Sequence, residues 1–348
     1  MSQPFSLSKV DDALATRVLA SLAEVEKVLI NATKSSDPFI SEVAGHLAKA
    51  GGKRFRPLLV CLASEFGKPN KDVDKDVVNA AVVVELTHLA TLYHDDVMDE
   101  APRRRGTDSA NARWDNTLAI LTGDFLFAQA SKMLADLGPE AVLLQAVTFE
   151  RLVSGQIHET VGPQNGNDPV KHHIQVLADK TGSLIATSAR FGGMFAELPV
   201  QALDALSAFG EAVGIAFQIA DDILDITSGA QISGKTPGTD LREGVITLPM
   251  LMVQAANKPE DVELIELLGR PLPDDKEHSR ALELMRKNAA MNAAQAEADR
   301  YATLAIEHLG AIKKLANENP ADFADSKTVD DVISALTDVC ESTANRVV

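Results

Sequence analysis

Apolar residues recur every three to four positions along almost the whole chain, and the strict alternation of a half-buried strand is nearly absent. The spacing predicts helices near 8–33, 38–50, 55–67, 74–98, 116–136, 139–161, 170–179, 182–196, 201–226, 246–256, 278–308 and 321–345. Helix-breaking steps fall between them: Asp37-Pro38, Gly51-Gly52, Gly67-Lys68-Pro69, Leu137-Gly138-Pro139 and Val161-Gly162-Pro163. The longest polar loop runs 228–244 and holds Gly229, Gly234, Pro237, Gly238 and Gly244. So long a loop in a compact domain is as a rule functional or disordered. There is no short-period repeat and no linker-like stretch, so one all-α domain over 1–348 is expected.

Composition narrows this picture. With 348 residues, 45% of them hydrophobic, the chain can bury a sizeable core. Only 4% is aromatic, which suits close-packed helices of Ala, Leu and Val. A formal net charge of −17 argues against general nucleic-acid binding and against docking on an anionic membrane. Cys61 and Cys340 have no metal-ligand spacing and suggest free thiols in a reducing compartment, so a cytoplasmic location is expected. The N-terminus carries Asp11 and Asp12 rather than a basic-then-apolar signal pattern. No stretch of about 18 apolar residues lacks charge, so no membrane span is expected.

Two acidic clusters of one form stand far apart: Asp95-Asp96-Val97-Met98-Asp99 and Asp221-Asp222-Ile223-Leu224-Asp225. Each ends a long apolar helical stretch. Residues four apart share a helix face, so Asp95 pairs with Asp99 and Asp221 with Asp225. Stacked carboxylates repel, and desolvation near a core adds to the cost. A divalent cation with an anionic ligand removes both penalties. Hard oxygen donors without cysteine favour Mg2+, held by a few carboxylates, water and substrate phosphates. Basic groups accompany the clusters: Lys53, Arg54 and Arg56 before the first, Arg103 to Arg105 after it, Lys180 between them, and Lys235 after the second. Lys and Arg with Mg2+ around a cavity describe a diphosphate site. Taken singly, each basic run is an ordinary surface patch; together they are not.

The chain resembles the trans-isoprenyl (polyprenyl) diphosphate synthases, of the long-chain type. The matching residues are Gly51 to Pro57, Glu85-Leu86-Thr87-His88, Asp95 to Asp99, Arg104-Arg105-Gly106, Gly123-Asp124, Lys180-Thr181-Gly182 and Phe217 to Asp225, extended by the loop Gly234 to Gly244 and by Thr247-Leu248-Pro249. They fall roughly within residues 40–250. The resemblance implies a large antiparallel helix bundle around a central cavity, a homodimer, and two or three Mg2+ ions. It implies condensation of isopentenyl diphosphate with an allylic diphosphate, repeated to a long-chain product; the alternative is a 20-carbon geranylgeranyl product. Asp95, Asp99 and Asp221 would ligate metal, with Asp96, Asp222 and Asp225 as nearby or water-mediated partners. Arg104, Lys180, Thr181, Gln218 and Lys235 would contact the allylic substrate. Lys53, Arg56, His88 and Arg105 would hold isopentenyl diphosphate. Thr181 and Gln218 are equally readable as helix-start and interhelix hydrogen-bonding groups. One departure is Gly244-Val245, where many relatives carry a Gly-Lys pair.

Product length depends on the helix face below Asp95. At about 100° per residue, Thr91, His88 and Val84 lie within about 40° of its direction, flanked by Ala90 and Thr87. Residues 76–92 contain no aromatic, and Ala90 and Thr91 stand where short-chain relatives carry a bulky ring. A deep cavity and a long product are therefore expected, with Ala90 and Thr91 setting the length. Phe125 or Phe127 could close it lower down. Tyr93 points nearly opposite to Asp95. Three rivals fit less well. A di-metal carboxylate bundle needs a second Glu-x-x-His, a terpene cyclase a different second motif, and a non-catalytic subunit the loss of charged residues that are present here.

Overall fold

The computed structural model describes residues 11–68, 73–164, 166–227 and 237–344. In chain order the elements are α1 (Asp12–Ala32), α2 (Pro38–Ala44), α3 (His46–Lys49), α4 (Phe55–Ser64), α5 (Lys75–Met98), β1 (Arg103–Arg104), β2 (Thr107–Asp108), α6 (Ala110–Arg113), α7 (Asn116–Leu137), α8 (Pro139–Val161) and α9 (Pro169–Leu177). A π-helical turn (Ala178–Gly182) follows, then α10 (Ser183–Phe195), α11 (Val200–Thr227), α12 (Thr239–Glu243), α13 (Leu248–Ala256), a 3-10 turn (Pro259–Asp261), α14 (Val262–Leu267), α15 (Asp275–Lys287), α16 (Ala289–Glu318) and α17 (Ser326–Ala344). The protein is all-α, as expected.

Aspartate starts many of these helices. Asp11, Asp37, Asp74, Asp115, Asp168 and Asp274 each accept a backbone N–H from the first turn of the helix that follows. Each such cap satisfies orphan donors and contributes ~1 kcal/mol. Part of the acidic excess is thus helix punctuation.

The chain divides into two compact units, each built from separate segments. One comprises 1–149, 184–207 and 309–336; the other comprises 150–183, 208–308 and 337–348. In the first, α5 packs against α1, α4 and α7. It is buried nearly all round from Val77 to Tyr93, so it lacks a polar face. In the second, Ile219, Ile223, Leu248, Leu272, Met285 and Ala294 belong to a continuous apolar core. Cys61 and Cys340 are free, buried thiols, and burial pushes both up to about 12.

Several expectations need correction. The helix expected over 38–50 breaks at Gly45. The one expected over 278–308 is two helices meeting at Asn288, whose extended backbone and side-chain bond to the Ala290 N–H start α16. Between 170 and 196 there is no interruption, only the π-helical turn. The hairpin β1–β2 was not foreseen: its turn residues Arg105 (φ 54°) and Gly106 (φ 78°) both take the left-handed backbone of a tight two-residue turn. Two residues per strand are too few to leave a periodic signal. By length and composition α5, α7 and α11 are apolar enough to cross a membrane, against the expectation of no such stretch. In α5, 72% of that apolar window is buried within the protein.

Tyr93 is fully buried and bridges α5 to the segment around α2 and α3. Its hydroxyl donates to Val43 O (2.6 Å) and accepts from Leu47 N (3.3 Å). Tyr93→Phe leaves both groups without this partner, at a cost of ~1–3 kcal/mol. The melting temperature is expected to fall by a few degrees in a thermal scan; an unchanged value would show that Val43 and Leu47 find other partners.

Candidate functional site

The segment ahead of α4 gathers cations. Arg54 takes a left-handed backbone (φ 48°, ψ 37°) at the N-cap of α4. That conformation turns its guanidinium to two carboxylates: Glu26 of α1 (2.8 and 3.0 Å) and Glu85 of α5 (2.9 Å). Glu85 is 2% exposed and also lies 3.5 Å from Arg105, which donates to the carbonyls of Leu47 and Gly51. Gly52 has φ 153°, and a Cβ on it would stand 2.9 Å from the Arg105 guanidinium carbon. A glycine is required there for Arg105 to lie against the loop.

Arg56 is different. Its Nε is buried with no hydrogen-bond partner. Burial, reinforced by Arg105 and opposed by Glu85, lowers its pKa to about 10. His88 lies in the same field. Burial first, then the guanidiniums of Arg56, Arg105, Arg104 and Arg54, hold its pKa well below the ordinary histidine range. A buried guanidinium with an orphan N–H is a donor that an anion could take up. Lys53 is exposed in the same loop.

The first aspartate cluster ends α5. Asp95 is half-buried in the last turn and Asp99 is the exposed C-cap, its N–H on Asp95 O at 2.8 Å. Both carboxylates therefore sit at the negative pole of a 24-residue helix. Such a pole favours a cation. Asp96 turns inward instead. It is fully buried, Arg104 Nε donates to its Oδ1 at 2.6 Å, and its Oδ2 has no partner. Burial raises its pKa, with Arg104 opposing.

In the second unit the other cluster lies near the end of α11. Asp222 is buried; its Oδ2 is 3.5 Å from Leu248 N and 3.5 Å from His173 Nε2, and Gln218 Nε2 is 3.4 Å from its Oδ1. Asp225 accepts the N–H groups of Thr239 (3.1 Å) and Asp240 (3.2 Å), which open α12. Asp221 is half-buried. Lys180 and Thr181 lie in the π-helical turn; Thr181 Oγ1 donates to Gln218 Oε1 (3.3 Å), and Lys180 Nζ pairs with Glu159 (2.5 Å). Lys235 lies outside the described residues. Among the described residues no three Asp, Glu, His or Cys side chains converge as a ready metal cage. The donor set remains hard carboxylate oxygen, and few protein ligands per ion is the habit of Mg2+ that also binds substrate phosphate.

The structure thus gathers Arg56, His88, Arg104 and Arg105 in one unit, and Lys180, Thr181, Gln218 and Asp222 in the other. Sequence reasoning gave no role to Glu26, Glu159 or His173, and grouped Arg54 with the diphosphate-binding cations rather than with the carboxylates it meets. Glu85 carried a usable signal, since it is the lone charge in the apolar run from Ala80 to Thr87. The others partner residues remote in sequence and carried none.

Ala90 is fully buried and Thr91 half-buried, its hydroxyl donating to His88 O. Beside them His94 meets Phe127 edge-on (5.8 Å), and Phe127 meets Phe149 (4.5 Å). A Cβ on Gly123 would stand 2.2 Å from the His94 ring, so α7 approaches α5 closely here.

Residues 37–285 match the family model described as polyprenyl synthetase. The chain is 47% identical over 299 residues to a nonaprenyl diphosphate synthase of Mycobacterium tuberculosis, covering 86% of this chain and 89% of that one. Among solved structures it is similar to a geranylgeranyl pyrophosphate synthase from Corynebacterium glutamicum complexed with calcium and isoprenyl diphosphate. That match has TM-score 0.81 and 44% identity, and covers 97% of this chain and 98% of that one. It is also similar to a decaprenyl diphosphate synthase from Rhodobacter capsulatus, with TM-score 0.80 and 30% identity over 97% of this chain and 99% of that one.

The depressed His88 pKa has a stability consequence. Below the ordinary histidine pKa the unfolded chain takes up a proton that the folded protein refuses, so stability falls as pH drops from about 6.5. His88→Gln removes that proton uptake. In ligand-free protein, thermal melts at pH 7.5 and pH 5.0 are expected to show a smaller acid-induced loss for His88→Gln than for wild type. Equal losses would place His88 in an ordinary solvated setting.

Proposed function

The chain belongs to the polyprenyl synthetase family, and from that premise we propose that it is a Mg2+-dependent trans-prenyltransferase. It joins isopentenyl diphosphate to an allylic diphosphate and repeats the step to a long-chain polyprenyl diphosphate. One observation carries this at the level of residues. On α5 an anion pocket built on His88, Arg56 and Arg105 lies two turns before the carboxylates Asp95 and Asp99, about 10 Å along the axis. One helix thus runs from a buried, unpartnered guanidinium to a pair of carboxylates two turns on, which supports an anion site beside a cation site.

Lys53, Arg56, His88 and Arg105 hold isopentenyl diphosphate in this proposal. Neutral His88 donates or accepts a single hydrogen bond and adds no charge of its own. Arg104, Lys180, Thr181, Gln218 and Lys235 serve the allylic diphosphate. Asp95, Asp99 and Asp221 would hold metal, and Asp96, Asp222 and Asp225, each already engaged by protein donors, act through water or as neighbours. Bound Mg2+ supplies charge compensation for the leaving diphosphate. The allylic C–O bond breaks and its electron pair leaves with diphosphate. The alkene pair of isopentenyl diphosphate forms the new C–C bond, and the proton lost from the adjacent carbon goes to the departed diphosphate. The product is again an allylic diphosphate. Surrounding apolar residues must exclude water, which would trap the cation.

Two further features belong to the proposal. Ile120 and Leu121 of α7, and Val142, Leu143 and Val147 of α8, are exposed apolar side chains that support a homodimer. Buried, unpaired Cys61 and Cys340 support a cytoplasmic protein, which we take as one synthase across both units without an integral membrane segment. On product length, small Ala90 and half-buried Thr91 favour a long chain. The His94–Phe127–Phe149 contacts favour the alternative of a 20-carbon product, as in the Corynebacterium relative's name.

Asp95→Ala and Asp221→Ala are each expected to lower turnover at least ~10²-fold with Mg2+ present, the scale of losing transition-state charge stabilisation. A radiolabelled isopentenyl diphosphate assay measures this, and near-normal turnover in either variant sinks the metal assignment.

Thr91 is the cleaner site for testing length, because Ala90 is fully packed and an added ring there would strain the core. Thr91→Phe is expected to shift products toward about 15–20 carbons while the first condensation continues, if its ring occupies the space a growing chain needs. Chromatographic sizing decides: wild-type product of 20 carbons favours the aromatic floor, and an unchanged long product removes this helix face from the tunnel.

A further inference from the structure

Lys180 and Thr181 occupy a π-helical turn, Ala178–Gly182. A π turn holds one residue more than an α turn and persists where tertiary contacts fix it, often at functional sites. Here one stripe of α8 supplies those contacts. Arg151, Gly155 and Glu159 are spaced four apart and share a face. Arg151 Nε donates to Asp179 Oδ1 (2.8 Å), and its Nη1 donates to Glu211 Oε2 (2.7 Å). One turn on, a Cβ on Gly155 would stand 2.7 Å from the backbone nitrogen of Lys180 and 3.0 Å from Asp179 Cβ, so only glycine lets α8 approach the turn. After another turn, Glu159 Oε2 takes the Lys180 ammonium.

We propose that Arg151, Gly155 and Glu159 are positioning residues for the allylic diphosphate: they hold the π-helical turn in place, and Glu159 occupies Lys180 until the diphosphate displaces it. This rests on the allylic role given to Lys180 above. Arg151 fixes the turn through Asp179, whose other oxygen accepts from Gln175 (2.9 Å). The Lys180–Glu159 pair is partly exposed, 31% and 38% at the side chains, so it is weak enough to exchange for a doubly charged ligand.

The test uses full-length protein with Mg2+, farnesyl diphosphate as allylic probe and isopentenyl diphosphate, with kcat and both KM values measured. Folding is checked by circular dichroism. Lys180→Ala is the reference and should raise the KM for farnesyl diphosphate. Glu159→Gln frees Lys180 and should lower that KM about 2–5-fold, the scale of a partly exposed ion pair. Arg151→Ala should raise it about 10-fold or more, and Arg151→Lys should restore only part, because an ammonium lacks the planar fork whose separate nitrogens meet Asp179 and Glu211. Gly155→Ala should lower kcat; if it does not fold, the other variants decide. The KM for isopentenyl diphosphate should stay within about 2-fold throughout, within the scatter expected of surface changes. If Lys180→Ala acts as expected but Glu159→Gln and Arg151→Ala leave the allylic KM unmoved, or move both KM values alike, the clamp is wrong and the allylic role of Lys180 stands. If Lys180→Ala itself has no effect on the allylic KM, that role and the clamp fall together.

Discussion

Charges of one sign repel, and this protein gathers them twice along α5: arginines from neighbouring segments around His88, and aspartates at the helix end. Arg54, Arg56, Arg104 and Arg105 all act on His88, while Asp95, Asp96 and Asp99 crowd the end of α5. Neither group would hold its place without internal counter-charges. Glu85 answers Arg54 and Arg105 together, Glu26 doubles the hold on Arg54, and Arg104 answers Asp96. What remains is selective: Arg56 keeps an orphan N–H, and Asp95 and Asp99 stay at a negative helix pole. The internally paired groups form scaffold around the motif residues.

The same economy of charge runs through the second unit. Asp222 and Asp225 carry the family's motif, yet their oxygens engage Leu248 N and the first amides of α12. These contacts tie the end of α11 to the start of two later helices. Two of the three motif aspartates of α11 thus serve the local architecture directly.

Much of this was legible in the sequence. The all-α class followed from periodicity, and α5, α7, α8 and α11 followed within a residue or two because each is long and has a recurring apolar face. The acidic and basic motifs followed because their residues are adjacent in the chain. What was not legible depends on tertiary packing. Asn288 divides a continuous amphipathic pattern because its side chain caps α16. The π-helical turn inserts one residue into a pattern whose period it barely changes. Glu26 and Arg54 meet across 28 positions, and no local signal announces such a pair. The apolar stretches of α5, α7 and α11 also meet the composition of a membrane span, and only packing separates a buried core helix from one facing lipid.

The two cysteines have a practical corollary. Thiol reagents attack the thiolate, and with both thiols buried and pushed up to about 12, thiolate is scarce at neutral pH. The chain contains only Cys61 and Cys340, and both are buried away from bulky maleimide and nitroxide labels. A cysteine introduced on an exposed helix face is far more accessible than either native thiol. Pairs of probes can therefore be placed without first deleting native residues, and the intact protein becomes its own ruler for motion during turnover.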